Sequence, residues 1–152
     1  MAQENKINKK DLVEAADCVG FNLRKTTRAL TQYYDSIIKE AGITANQNTL
    51  LMIIYLMQPM NIQNLAEASG TERTTLARNL KVMEKDELVN IKKGSDRRKK
   101  IINLSIKGEN VLSKSFEMWR EAQNNLVNKI GENKWKELRL ELKEIVSFSR
   151  ER

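Results

Sequence analysis

The segment NIQNLAEASGTERTTLARNLKVMEKDELV, Asn61 to Val89, holds two helical patterns separated by a glycine. Asn61 can cap a short helix, IQNLAEAS. Gly70 supplies a tight turn, and Thr71 is expected to cap the longer helix ERTTLARNLKVMEKDEL. Two helices roughly nine residues apart with glycine between them have helix-turn-helix spacing. On a helical wheel the second helix puts Leu76, Leu80 and Met83 on one side and Thr74, Arg78, Lys81 and Lys85 on the other. A solvated face usually mixes charge signs in i,i+4 pairs, whereas this line is uniformly cationic. Small hydroxyls at its start, cations further along and Ala77 beside them give the profile of a helix that enters a major groove.

The next stretch sharpens that expectation. LVNIKK and KKIINLS alternate around a Gly-Ser-Asp turn signal, so Leu88, Val89 and Ile91 can pair with Ile101, Ile102 and Leu104 in a two-stranded hairpin. Its tip, in IKKGSDRRKKI from Ile91 to Ile101, has six Lys or Arg among the nine residues between the isoleucines. Like charges this close repel, so the fold gains nothing from them and an external polyanion is expected to relieve them. A wing with Arg97 and Arg98 at its tip suits the negative potential of a narrow, A·T-rich minor groove.

Composition agrees with one domain, or one lobe of a dimer, that can bury a core: 152 residues, 40% apolar, 31% charged and one proline. The net charge is +7, and residues 61 to 106 carry 10 basic and 6 acidic side chains, the largest local excess. There is no histidine, which removes the commonest general base and the commonest zinc ligand. Glycines 20, 42, 70, 94, 108 and 131 are scattered singly, and no nucleotide-binding loop or Ser-based nucleophile elbow occurs. No catalytic residue, metal or cofactor is expected. The longest apolar run, LLMIIYLM from Leu50 to Met57, is too short for a membrane span, which needs about twenty residues. MAQENKINKKDL at the N-terminus has no apolar signal region, and a single cysteine rules out a disulfide within one chain, so a cytoplasmic location is expected.

The flanks read as helices. Leu12, Ala16, Val19, Leu23, Thr26, Leu30, Tyr33 and Ile37 recur at three and four, predicting one long amphipathic helix from about Lys10 to Ala41. Thr44 and Gln47 form a capping box before LLMIIYLM, expected to lie wholly inside and to end at Pro59. Leu112, Phe116, Trp119, Leu126 and Ile130 form one C-terminal stripe and, after a break at Gly131, Trp135, Leu138, Leu142 and Ile145 form another. Stripes at both chain ends suggest a helical dimer interface, with intramolecular helix packing as the plainer alternative.

These residues, from about 11 to 150, resemble the MarR (multiple antibiotic resistance regulator) family of winged-helix transcription factors. The most specific parts are the TTLAR core, Asp96-Arg97-Arg98, and Leu104-Ser105-Ile106-Lys107-Gly108. The resemblance implies a mainly α fold with a small β-hairpin wing. Its helical dimerisation region would be 1–42 and 106–152, and its DNA-binding region 43–105. It further implies a homodimer that binds a pseudo-palindromic double-stranded operator and acts as a repressor. Thr74, Thr75 and Arg78 fall where the family's recognition helix meets DNA, with Arg73 and Lys81 beside them. Arg98 matches the wing arginine that enters the minor groove, Asp96 a carboxylate that orients the wing, and Lys93, Arg97 and Lys99 complete the basic tip. Ser105 would cap the helix after the wing. One departure is Glu87, where the family commonly has glycine, so a left-handed turn there would be strained.

The resemblance also implies a trigger. Cys18, near Ala16 and Val19, reads first as a small buried residue. As a redox sensor it could form only a sulfenic acid, a mixed disulfide or a bridge between subunits. The family's organic-hydroperoxide sensors place their cysteine nearer Gly20. A small-molecule effector is the other family trigger. Tyr33, Tyr34, Met52 and Tyr55 could line its pocket, although each also suits plain core. The competing functions are a winged-helix protein-interaction module with weak DNA binding and a non-specific nucleic-acid packer.

Overall fold

A computed structural model of the chain describes residues 7–94 and 100–151. The long N-terminal helix expected from the apolar spacing is two helices. α1 (Lys9–Glu14) runs into a 3-10 turn at Ala15–Asp17, and α2 (Val19–Ile38) starts after Cys18, whose ψ of 120° leaves the helical region. The side-chain amide of Asn22 donates to the carbonyls of Ala16 (2.8 Å) and Cys18 (3.1 Å), satisfying at Ala16 an acceptor that an unbroken helix would have used itself. Gly20 and Asn22 are both weak helix formers, so this is where the run yields. A second 3-10 turn, Lys39–Ala41, ends at Gly42 with a φ of 80°.

α3 (Ala45–Met57) starts at the expected capping box: the Gln47 N–H donates to the Thr44 hydroxyl (3.2 Å) and the Thr44 N–H donates to Gln47 Oε1 (2.9 Å). It lies among α2 and elements that follow it in the chain, and buries Leu50, Leu51 and Ile54. Its last turn is not interior as expected. Tyr55, Leu56 and Met57 are exposed, Leu56 at 79%, because the surrounding elements leave that side of the helix open. Gln58 then ties the exit down, its Oε1 accepting from the Leu104 N–H at 2.8 Å.

β1 (Met60–Asn61) is a strand of two residues that no periodicity could announce, and it makes the expected two-stranded hairpin a three-stranded antiparallel sheet of order β1-β3-β2. β2 (Val89–Lys93) and β3 (Lys100–Leu104) pair with Val89 opposite Leu104 and Ile91 opposite Ile102, while Met60 opposes Ile102 from the other side. α4 (Ile62–Ser69) is capped by the Asn61 side chain, which accepts from the Asn64 N–H, and ends at Gly70 with a φ of 64°.

α5 (Arg73–Lys85) follows, and its cap is Glu72, not Thr71. The Thr71 N–H instead closes the end of α4 on the Ala66 carbonyl (3.1 Å). At its far end α5 leaves through a Schellman turn: the Leu88 N–H bonds to Met83 O (2.8 Å), the Glu87 N–H bonds to Glu84 O (3.0 Å), and Glu87 itself takes a φ of 61°. The left-handed turn usual with glycine is thus kept with a glutamate in it.

α6 (Ile106–Ile130) is capped by Ser105, whose Oγ accepts from the Gly108 N–H (2.9 Å). Gly108 lies so close to the turn after α5 that a Cβ on it would stand 2.0 Å from the Leu88 carbonyl oxygen. Gly131, with a φ of 97°, separates α6 from α7 (Glu132–Arg150), which packs chiefly on α6. The core joins every layer of the central region: Ile38, Leu51, Ile54, Leu65, Leu76, Met83 and Ile102 are each at most 1% exposed. Burial of such side chains contributes about 1.5–3 kcal/mol each relative to exposure. One buried polar pair crosses it, the Ser115 hydroxyl donating to Asn48 Oδ1 at 2.7 Å. Among the described residues no helix is long and apolar enough to cross a membrane, and no group of side chains could hold a metal ion.

Candidate nucleic-acid interface

Packing decides which way α5 faces. Leu76, Leu80 and Met83 are buried against α4 and the sheet, at 0 to 2% exposure, so the opposite face must point outward. On that face Thr74, Arg78, Lys81 and Lys85 are exposed, and Arg73, Thr75 and Ala77 are exposed along its margins. No ion pair satisfies Arg73, Arg78 or Lys81 among the described residues. The wheel read from the sequence therefore corresponds to the real division of this helix into a core side and a free cationic side.

Glu72 governs the leading end of α5. Its carboxylate accepts from the N–H groups of Thr74 (3.3 Å) and Thr75 (3.4 Å) and from the Thr74 hydroxyl. The bond from the Thr74 side chain, then that from its backbone N–H, holds the Glu72 carboxyl below its ordinary value, although the group is fully exposed. Sequence reasoning missed this residue by giving the cap to Thr71. The available signal was an acid directly before the helix with a hydroxyl two residues on.

The wing root carries the same sign of charge. Lys92, Lys93 and Lys100 are exposed, and Lys93 faces Lys100 directly across the β2–β3 ladder. Like charges at opposed positions destabilise a strand pair, so this hairpin is not optimised for its own stability. Asp96, Arg97, Arg98 and Lys99 lie outside the described residues.

The trigger residues are dispersed. Cys18 is exposed at the break between α1 and α2, not buried as first read, because the chain leaves the helix there. Of the four pocket residues, Met52 and Tyr55 do share an open groove of about 460 Å³ between α3 and α6, together with Leu56, Leu112 and Phe116. Tyr33 and Tyr34 lie elsewhere, joining α2 to α6: the Tyr33 hydroxyl donates to Ala122 O (3.3 Å) and the Tyr34 hydroxyl to Gln123 Oε1 (2.5 Å). Burial, and secondarily the neighbouring Tyr33, raises the Tyr34 phenol above its ordinary value.

A helix-turn-helix backed by a small antiparallel sheet, with a basic hairpin beyond it and long helices on either side, defines a winged helix. The MarR family profile matches residues 43–100. The DNA complex of the M. tuberculosis transcriptional regulator MosR is 34% identical, covering 87% of this chain and 96% of that one with a TM-score of 0.81. S. aureus MepR, also solved with DNA, is 20% identical over 86% of this chain and 97% of its own, TM-score 0.77, and shares the fold. No curated protein matches the chain. The chain belongs to the MarR family. Its relatives are transcription regulators and it is not an enzyme.

Proposed function

We propose that this protein is a cytoplasmic homodimer that binds a double-stranded operator in a sequence-specific way and represses transcription until an effector releases it. The observation that carries this reading is the exposed cationic face of α5, without an ion pair at Arg78 or Lys81 among the described residues, together with a wing root of like charge. Arg73, Thr74, Thr75, Arg78 and Lys81 would meet the major groove. Lys93, Arg97, Arg98 and Lys99 would meet the minor groove and its phosphates, with Asp96 orienting the tip. That MosR and MepR were solved with DNA supports the same partner here.

Dimerisation through 1–42 and 106–152 is supported by the exposed apolar side chains on the terminal helices: Leu12, Val13, Val19 and Phe21 on one side, and Leu138, Leu140 and Val146 on the other. The region 43–105 would then be the DNA-reading lobe. For release, the Met52–Tyr55 groove suits a small effector, and exposed Cys18 suits thiol oxidation.

Fluorescence anisotropy against the duplex upstream of the protein's own gene and against a scrambled duplex tests the reading. A preference of roughly a thousandfold near physiological salt is expected. Equal binding to both at every salt concentration, with no preferred site in genome-wide binding, would overturn it.

A further inference from the structure

We propose that Glu72 is a positioning residue for base recognition, because its carboxylate accepts the hydrogen bond of the Thr74 hydroxyl and so makes Thr74 a methyl-and-acceptor reader that rejects guanine. The inference rests on the reading above in which α5 enters the major groove. A threonine hydroxyl has one proton to donate and lone pairs to accept with. Here that proton is directed back to Glu72, and the same carboxylate covers the Thr74 and Thr75 N–H groups. The leading end of α5 therefore offers no free donor from Thr74, from either its side chain or its backbone. What is left to the exposed Thr74 side chain for contact is its methyl group and the remaining lone pair.

Base edges differ in what they accept. In the major groove guanine shows only acceptors, at N7 and O6, thymine sets its methyl group beside a single acceptor at O4, adenine pairs an amino donor with its N7 acceptor, and cytosine shows an amino donor. A donor-less threonine is repelled by the guanine edge and gains apolar contact with the thymine methyl. The bonds that fix Thr74 also keep the Glu72 carboxyl below its ordinary range, so near neutral pH it remains an acceptor. Arg73 and Arg78, both exposed on α5, carry donors of their own, so guanine would be read by them and excluded only where Thr74 faces.

Selection of bound duplexes from a randomised pool, run on the full-length wild type, Glu72→Ala, Thr74→Val and Thr74→Ser, tests this. Circular dichroism would confirm that each variant is folded. In the wild type one motif position should favour thymine and exclude guanine. Glu72→Ala frees the hydroxyl to donate, and guanine at that position should rise roughly tenfold. Thr74→Val, which cannot donate and leaves the backbone cap alone, should still exclude guanine. Thr74→Ser keeps the bond to Glu72 but lacks the methyl, so it should lose the preference for thymine over cytosine and still exclude guanine. An unchanged motif in folded Glu72→Ala overturns the inference. Should Glu72→Ala fail to fold, guanine admitted by Thr74→Val or full thymine preference kept by Thr74→Ser overturns it instead. A wild type that enriches no motif overturns the DNA-reading function itself, and this inference with it.

Discussion

Replacing Glu87 by glycine should stabilise the protein even though it deletes an ion pair. Glu87 is the one non-glycine residue with a positive φ among those described, at 61°, and it sits at the left-handed position of the Schellman turn that ends α5. An L-residue with a side chain pays about 1–2 kcal/mol in that conformation. Glycine removes this cost but gives up about 0.5–1 kcal/mol through its larger freedom in the unfolded chain. The Glu87–Lys107 pair, at 3.4 Å with side chains 79% and 55% exposed, is screened by solvent. Such an exposed pair is worth at most a few tenths of a kcal/mol. The Ser105 hydroxyl bond to the Glu87 carbonyl involves only the backbone of residue 87 and survives the change. Glu87→Gly should therefore be more stable than Glu87→Ala, which loses the ion pair and keeps the strain, by about 0.5–1 kcal/mol. Urea unfolding of both variants at one protein concentration measures this as a shift of midpoint at constant slope. In thermal melts the same difference is on the order of 2–3 °C. A glycine variant no more stable than the alanine variant would refute the strain argument and mean that the turn relaxes around its side chain.

Gly108→Ala should destabilise by about 2–3 kcal/mol or more, because its Cβ would meet the Leu88 carbonyl oxygen at 2.0 Å and neither backbone can yield without parting the wing root from α6; a urea midpoint within error of wild type would contradict it. Arg78→Ala should relax discrimination at one base pair by about 1–3 kcal/mol, whereas Lys81→Ala should weaken every duplex alike and lower the salt slope by about one; anisotropy titrations on cognate and altered duplexes separate the two. In an alkaline absorbance titration Tyr34 should ionise above the ordinary range of a phenol, and Tyr34→Phe should delete that late component. Because its folded pKa is raised above 10.0, Tyr34 contributes stability that is complete below that pH and is lost as pH rises through the folded value. A titration from which Tyr34→Phe removes no late component would refute the burial argument.

The parts of this molecule legible in the sequence are those where the deciding contacts are local. Thr44 with Gln47, Asn61 and Ser105 each cap the helix that starts beside them, and Gly70 and Gly131 break the chain where expected. Helical spacing alone divides α5 into Leu76, Leu80 and Met83 against Arg78 and Lys81, and the core respects that division. The helix break at Cys18 was harder to see, since apolar spacing runs on through it and only the Asn22 side chain reveals how the freed Ala16 carbonyl is satisfied.

Charge, periodicity and capping chemistry were enough to determine a winged helix-turn-helix with a basic hairpin, since each depends on residues within a turn or two of one another. Tertiary structure alone decided the rest. β1 exists because β3 is there to pair with Met60, and the outer side of α3 is open because no element covers Leu56. Tyr33 and Tyr34 part from Met52 and Tyr55 because α6 lies 89 residues away along the chain from the tyrosines it binds. The Glu72 carboxylate takes the cap because Thr71 is already engaged in closing the preceding helix. In each case the deciding partner is supplied by a different element, and spacing along one segment carries no record of it.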